Sequence, residues 1–200
     1  MNMEFRKAKI SDNLEKISEL LYYTDDYIYP YWFGSVENCR KELTPLLTQE
    51  KFFFNINNIY VAIQNNIILG IVCVTDKGTD LSYDYSELRK VKSTYEFTID
   101  NYIMGLIEEV NNAEFAYISN VCVDPNYRDL HVGTFLLDNL IKEYKNRKFN
   151  EIVLDVLADN PRAIHLYKKM GFEKSSDIFS GFNSPEEKKP DVFTMKNEIK

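Results

Sequence analysis

The stretch Tyr117–Phe172 constrains this chain most, because its order of elements leaves few architectures open. It reads as a strand over Tyr117–Val123, a loop over Asp124–Leu130 and a helix from about Val132 to Lys145. A second strand (Glu151–Leu157) and a second helix (about Pro161–Met170) follow. This order of strand, loop, helix, strand and helix fits an α/β chain. The first helix opens directly after a strand and a loop carrying Arg128. Its unpaired N–H groups and the positive end of its dipole then face the strand tip, a ready place for a phosphate. The second strand holds a carboxylate, Asp155, in the apolar run Ile152–Leu157, and the second helix carries Tyr167 on its inward face with Ala163, Ile164 and Met170. A buried acid is seldom left unpaired, so Asp155 is salt-bridged or functional. Phosphate cradle, acid and phenol together suggest group transfer from a phosphorylated donor.

Two motifs sharpen this. Val121, Val123, Pro125, Tyr127, Arg128 and Gly133 form V-x-V-x-P-x-Y-R followed two residues later by x-x-Gly; Asn160, Ala163, Tyr167, Gly171 and Phe172 form N-x-x-A-x-x-x-Y-x-x-x-G-F. Both resemble the acyl-CoA-binding core of the GNAT superfamily of N-acetyltransferases, with one departure: His131 stands where the phosphate loop's first glycine belongs. The resemblance implies a single domain over 1–200, with a GNAT-like mixed, twisted sheet of six to seven strands, flanked by helices and splayed between its central strands. It implies acetyl-CoA as acyl donor, no metal, and direct attack by a primary amine. The alternative is a non-catalytic acyl-CoA sensor or scaffold on the same fold.

Carried over residue by residue, the backbone of Val121, Cys122 and Val123 would bond the pantetheine arm, and N–H groups near Val123 would polarise the thioester carbonyl. Arg128, Asp129, His131, Val132, Gly133 and Thr134 would wrap the pyrophosphate. A single dipole contact is worth about 0.3–1 kcal/mol, so several N–H groups and Arg128 must act together. His131 either tolerates the turn with a negative φ or offers a donor to a phosphate oxygen. No G-K-[ST] follows, which excludes a nucleoside-triphosphate loop. Asn160 caps the last helix and would touch the pantetheine. Tyr167 would protonate the departing thiolate. Asp155, at a spacing where some family members place a glutamate, is the candidate base; Glu114 and a water chain are the alternatives. The need for a base depends on the acceptor, since deprotonation at pH 7 costs about 4–5 kcal/mol for a lysine-like amine and about 1 kcal/mol for a chain-terminal α-amine. Cys122 has no histidine beside it in sequence and reads as a lining residue.

The segment Tyr22–Gly34 is the oddest in composition: seven of its thirteen residues are aromatic, with Asp25 and Asp26 among them. Its rings either pack on the core or, with Asp25, Asp26 and Tyr31, line a cleft for an ammonium. Ser119 and Asn120, polar at mid-strand, are further acceptor-side candidates. Upstream, Asp12 and Glu15 suggest a capping box opening a helix with the stripe Leu14, Ile17, Leu20 and Leu21, and Ser35 caps a helix that Pro45 ends. Asn58–Gln64 and Ile67–Asp76 read as a hairpin turned by Asn65-Asn66, with Gly70 marking a bulge or close backbone approach. Residues 77–112 read as a helical insertion, a surface excursion or a lid, with an apolar stripe from Ile99 to Val110. The segment after Phe172 fits a closing hairpin turned at Pro185–Pro190.

Charge and composition bound the partners. A net charge of −7 from 24 basic and 31 acidic residues argues against nucleic acid and would attract a cationic amine, such as a small amine, a protein N-terminus or a lysine. The three cysteines are scattered without metal spacing, as expected of reduced core thiols. With no apolar run of spanning length, the expectation is a cytoplasmic protein away from the membrane; a homodimer is left open.

Overall fold

The computed structural model describes residues 2–26, 28–79, 115–178 and 192–199. In chain order the elements are β1 (Glu4–Lys7), α1 (Leu14–Tyr22), α2 (Ile28–Phe33), α3 (Val36–Leu43), β2 (Ile59–Gln64) and β3 (Ile67–Thr75). They are followed by β4 (Phe115–Val123), α4 (Val132–Asn146), β5 (Glu151–Leu157), α5 (Pro161–Lys169), β6 (Glu173–Ile178) and β7 (Val192–Glu198). The insertion stripe, Glu114 and the Pro185–Pro190 turn lie outside the described residues.

The strands form one seven-stranded sheet in the order β1-β2-β3-β4-β5-β7-β6. Its β4–β5 pair is parallel and the rest are antiparallel. Strand alternation divides the core into two layers. Val61, Ile63, Tyr117, Cys122 and Val153 face α1, α2 and α3. Tyr60, Ala62, Ile152, Leu154 and Val156 face α4 and α5. The β2–β3 turn uses Asn65 and Asn66 at φ +50 and +64, the paired left-handed positions of a type I′ turn.

Helix α1 begins one residue later than the capping-box reading expects. Asn13 is the cap, accepting from the Lys16 amide at 3.0 Å. Asp12 is engaged elsewhere: it accepts both Arg6 guanidinium nitrogens at 2.8 Å and the Lys9 amide at 2.8 Å. Ile17, Leu20 and Leu21 are fully buried from this helix, each contributing about 1.5–3 kcal/mol. Ser35 caps α3 as expected, accepting from the Asn38 amide.

What positions the site is where the sheet comes apart. The β4–β5 ladder runs only from Phe115↔Glu151 to Ile118↔Leu154. Beyond it, Asn120–Val123 stay paired to β3 as far as Val123↔Gly70, while Asp155–Leu157 stay paired to β7. The parting begins at a β-bulge: Cys73 faces Asn120 and Val74 faces Ile118, so Ser119 is the extra residue of β4. A bulge bends its strand and increases local twist, which turns β4 away from β5 at the last shared pair. At the other end, Asp76 anchors the chain as it leaves β3. It accepts from the Tyr144 hydroxyl (2.9 Å), the Arg147 guanidinium (2.8 Å) and the Gly78 amide (2.8 Å). Among the described residues, no helix is long and apolar enough to cross a membrane.

Candidate active site

Among the described residues, the parted strands leave one backbone edge of Ser119–Val123 unpaired toward β5, which suits the addition of an extended arm. At the tip of β4 the chain is pinned by Asp124, which accepts from the Asn126 amide (2.9 Å) and binds Lys16 of α1 (2.7 Å). Burial opposes its charge, but Lys16 and Asn126 prevail and hold the carboxyl below its usual range.

The loop then makes two left-handed turns without glycine, at Asp129 (φ +62) and His131 (φ +60). The negative φ anticipated as one option for His131 is therefore corrected. The chain must reverse to bring the start of α4 back to the strand tip, and this position supplies the turn. His131 is exposed and makes no side-chain cap. The first helical bond is Phe135 N–H to His131 carbonyl at 2.9 Å, so the N–H groups of Val132, Gly133 and Thr134 precede the ladder and are free for an anion. Arg128 is exposed beside them, and Asp129 accepts from Arg162 of α5 at 2.8 Å. Gly133 also serves packing. A Cβ there would lie 2.9 Å from Leu166 Cδ2, so its small size lets α5 approach α4.

Tyr167 is buried with its ring against Phe172, centroids 5.9 Å apart. Its hydroxyl has no hydrogen-bond partner among the described residues. Burial pushes the phenol well above its ordinary pKa and Cys122 adds to the effect, so it stays protonated and able to donate. Burial likewise pushes the Cys122 thiol up to about 12. A thiol so rarely ionised is a poor nucleophile, in keeping with the lining role.

Asp155 faces the opposite layer, in line with Val153. Among the described residues it meets no cation: Tyr117 donates its hydroxyl to Oδ2 at 2.9 Å and Thr194 donates to Oδ1 at 2.7 Å. Burial raises its pKa, against the two hydroxyl bonds that favour the carboxylate, the direction a general base needs. Tyr117 and Thr194 were not legible as site residues. They reach Asp155 from the neighbouring strands β4 and β7, and only the Asp155↔Thr194 register reveals the second.

The aromatic segment divides. Tyr29, Trp32 and Phe33 are buried, whereas Tyr31 is 62% exposed and Asp26 is exposed. Asp25 accepts from the Ile28 amide at 2.7 Å and so starts α2. Asn120 points to this side, donating to Thr24 Oγ1 (2.8 Å) and to the Tyr29 hydroxyl (3.0 Å). Ser119 donates to the Cys73 carbonyl at 3.4 Å. Asn160 is exposed and caps α5 by accepting from the Ala163 amide at 3.1 Å. The described residues contain no cluster of His, Cys, Asp or Glu arranged for a metal ion.

A mixed sheet parted between parallel central strands, with a helix N-terminus at the strand tip and a phenol below, is the arrangement that the sequence resemblance implies. The profile of the Acetyltransferase (GNAT) family matches residues 27–172, and the chain belongs to that family. Among curated relatives, it is 38% identical over 61 residues to the ribosomal protein bS18-alanine N-acetyltransferase of Escherichia coli K12, covering 30% of this chain and 41% of that one. It is 28% identical over 123 residues to the catalytic subunit of the N-terminal acetyltransferase B complex of Saccharomyces cerevisiae, covering 60% and 63%. The matches thus span about two-fifths and three-fifths of those relatives. An N-acetyltransferase from Staphylococcus aureus Mu50 superposes with TM-score 0.66 at 19% identity, covering 96% of this chain and 99% of that one. A GNAT acetyltransferase from Elizabethkingia anophelis, solved with acetyl-CoA bound, gives 0.57 at 18%, covering 98% of each.

Proposed function

We propose that this chain moves the acetyl group of acetyl-CoA to a primary amine by direct attack, with no covalent enzyme intermediate. The observation that carries this reading is the end of the β4–β5 ladder at Ile118↔Leu154, beside an unpartnered buried phenol and the free N–H groups of α4. The residues present fit the donor. The open edge of Val121–Val123 suits the pantetheine arm, and Asn160 is a further contact for it. The turn from Arg128 to Thr134 suits the pyrophosphate. Bound acetyl-CoA supplies its acyl group as an activated thioester.

The chain's own groups then move protons. As the amine nitrogen bonds to the acyl carbon, Tyr117 takes its proton and passes its own to Asp155. Tyr167 gives its proton to the sulfur as the carbon–sulfur bond breaks. Asp25, Asp26, Tyr31, Ser119 and Asn120 form the acceptor side. The relatives' names, an alanine N-acetyltransferase and an N-terminal acetyltransferase, support a peptide α-amine as the acceptor over the small cationic amine that charge alone suggests. Such an amine needs little help from a base, costing about 1 kcal/mol to deprotonate at pH 7.

The test is thiol release from acetyl-CoA with a panel of free-N-terminal peptides, lysine peptides and polyamines. Turnover is expected with peptide α-amines, and Tyr167→Phe should lower kcat by about 10²-fold or more while donor affinity holds. An unchanged rate removes the role given to Tyr167. Donor binding without turnover on any amine would instead identify an acyl-CoA sensor.

A further inference from the structure

Four side-chain atoms among the described residues are enclosed without a hydrogen-bond partner: Glu42 Oε2, Tyr60 Oη, Thr75 Oγ1 and Asn120 Oδ1. Of these, Asn120 Oδ1 lies on the stretch of β4 past Ile118, where the sheet is parted. Asn120 is 8% exposed and faces the side of the sheet that carries the Tyr117–Asp155 pair. The bulge at Ser119 puts it there, since an unbulged strand would alternate it to the other layer.

The orientation of its amide follows from proton counting. The Thr24 hydroxyl has one proton and gives it to the Leu21 carbonyl at 2.6 Å. Toward Asn120, 2.8 Å away, Thr24 can therefore only accept, so the Asn120 atom facing it is the NH2 group. The same nitrogen gives its other hydrogen to the Tyr29 hydroxyl. With both hydrogens assigned, the carbonyl oxygen is fixed as an acceptor with nothing to accept. A buried polar atom left in this state calls for an explanation, and a ligand that supplies the missing donor is one.

We propose that Asn120 Oδ1 accepts a hydrogen bond from the nitrogen of the acceptor amine and so sets which acceptors are used, with Thr24 as the residue that holds the amide in register. This rests on the acetyltransferase reading above. A primary amine about to attack has two hydrogens, one for Asn120 and one for Tyr117. A secondary amine has a single hydrogen and must leave one of the two groups unserved. The site should therefore favour primary α-amines over their N-methyl counterparts.

The test is calorimetry with three probes: CoA, CoA joined through an acetyl bridge to the nitrogen of an alanyl peptide, and the same conjugate methylated on that nitrogen. Each is titrated into the wild type, Asn120→Leu and Thr24→Val, with thermal melts reporting folding. The wild type should bind the N–H conjugate about tenfold tighter than the methylated one. Asn120→Leu should lose that preference while keeping CoA affinity, and Thr24→Val, which preserves shape and packing, should reduce it. Equal binding of the two conjugates by the wild type, or an undiminished preference in Asn120→Leu, overturns the proposal. Failure of CoA itself to bind any of the proteins is a separate result that removes the acetyltransferase reading and this inference with it.

Discussion

His131 shows how one residue can keep the geometry of a motif while departing from its letters. At φ +60 it takes the conformation that glycine adopts freely and other L-residues adopt at a cost. Replacing it with glycine should relieve that cost, partly offset by the greater freedom glycine gives the unfolded chain. The expected gain is about 0.5–1 kcal/mol, read from the denaturant midpoint; a loss of stability would show that the imidazole makes a contact that matters. Asp155 gives a prediction in pH. Its pKa lies above the usual carboxylate value because burial outweighs the bonds from Thr194 and Tyr117. Thr194→Val removes a bond that favours the charged form, so the pKa should rise further. A base must be charged to act, so the acid limb of kcat/KM should move to higher pH. A limb that stays in place would mean that Asp155 is not the base. The sequence made Asp155 and Tyr167 conspicuous, as a lone acid in an apolar strand and a tyrosine in a motif. It was silent on Tyr117 and Thr194, because contacts across 38 and 39 residues leave no local signal.

Within single elements, local chemistry decides the structure. The Ser35 and Asn160 caps, the Asn65-Asn66 turn and the strand–helix–strand–helix order that begins with β4 all stand as expected, since each rests on nearby residues. The start of α1 was misplaced because Arg6, from another element, claims Asp12. The bulge at Ser119 leaves no signal in the sequence for a similar reason: it exists only in the pairing of β4 with β3. Gly70, by contrast, reads in the sequence as a bulge or a close backbone approach, and it makes the approach. A Cβ there would lie 2.8 Å from the Cys122 carbonyl oxygen, with Leu136 and Val132 at 3.1 and 3.2 Å. Backbone cannot step aside as the Leu166 side chain opposite Gly133 can. Gly70→Ala should therefore press β3 from the open stretch of β4 and destabilise by about 1–3 kcal/mol, measured by chemical denaturation. A neutral result would show that the two strands part more easily than their packing suggests.

For the molecule as a whole, two packed layers hold a sheet together everywhere except at its centre. Burial on both faces binds β1 to β4 as one unit and β5 to β6 as another, joined by the short parallel ladder from Phe115 to Ile118. This division was legible only through the family resemblance, because periodicity can say that a strand is buried but not that its neighbour leaves it midway. If the opening receives the acyl donor, titration calorimetry of acetyl-CoA into the purified chain will show it. One-to-one binding that weakens when Arg128 is replaced by alanine is the predicted result; no heat of binding at any accessible concentration would contradict it.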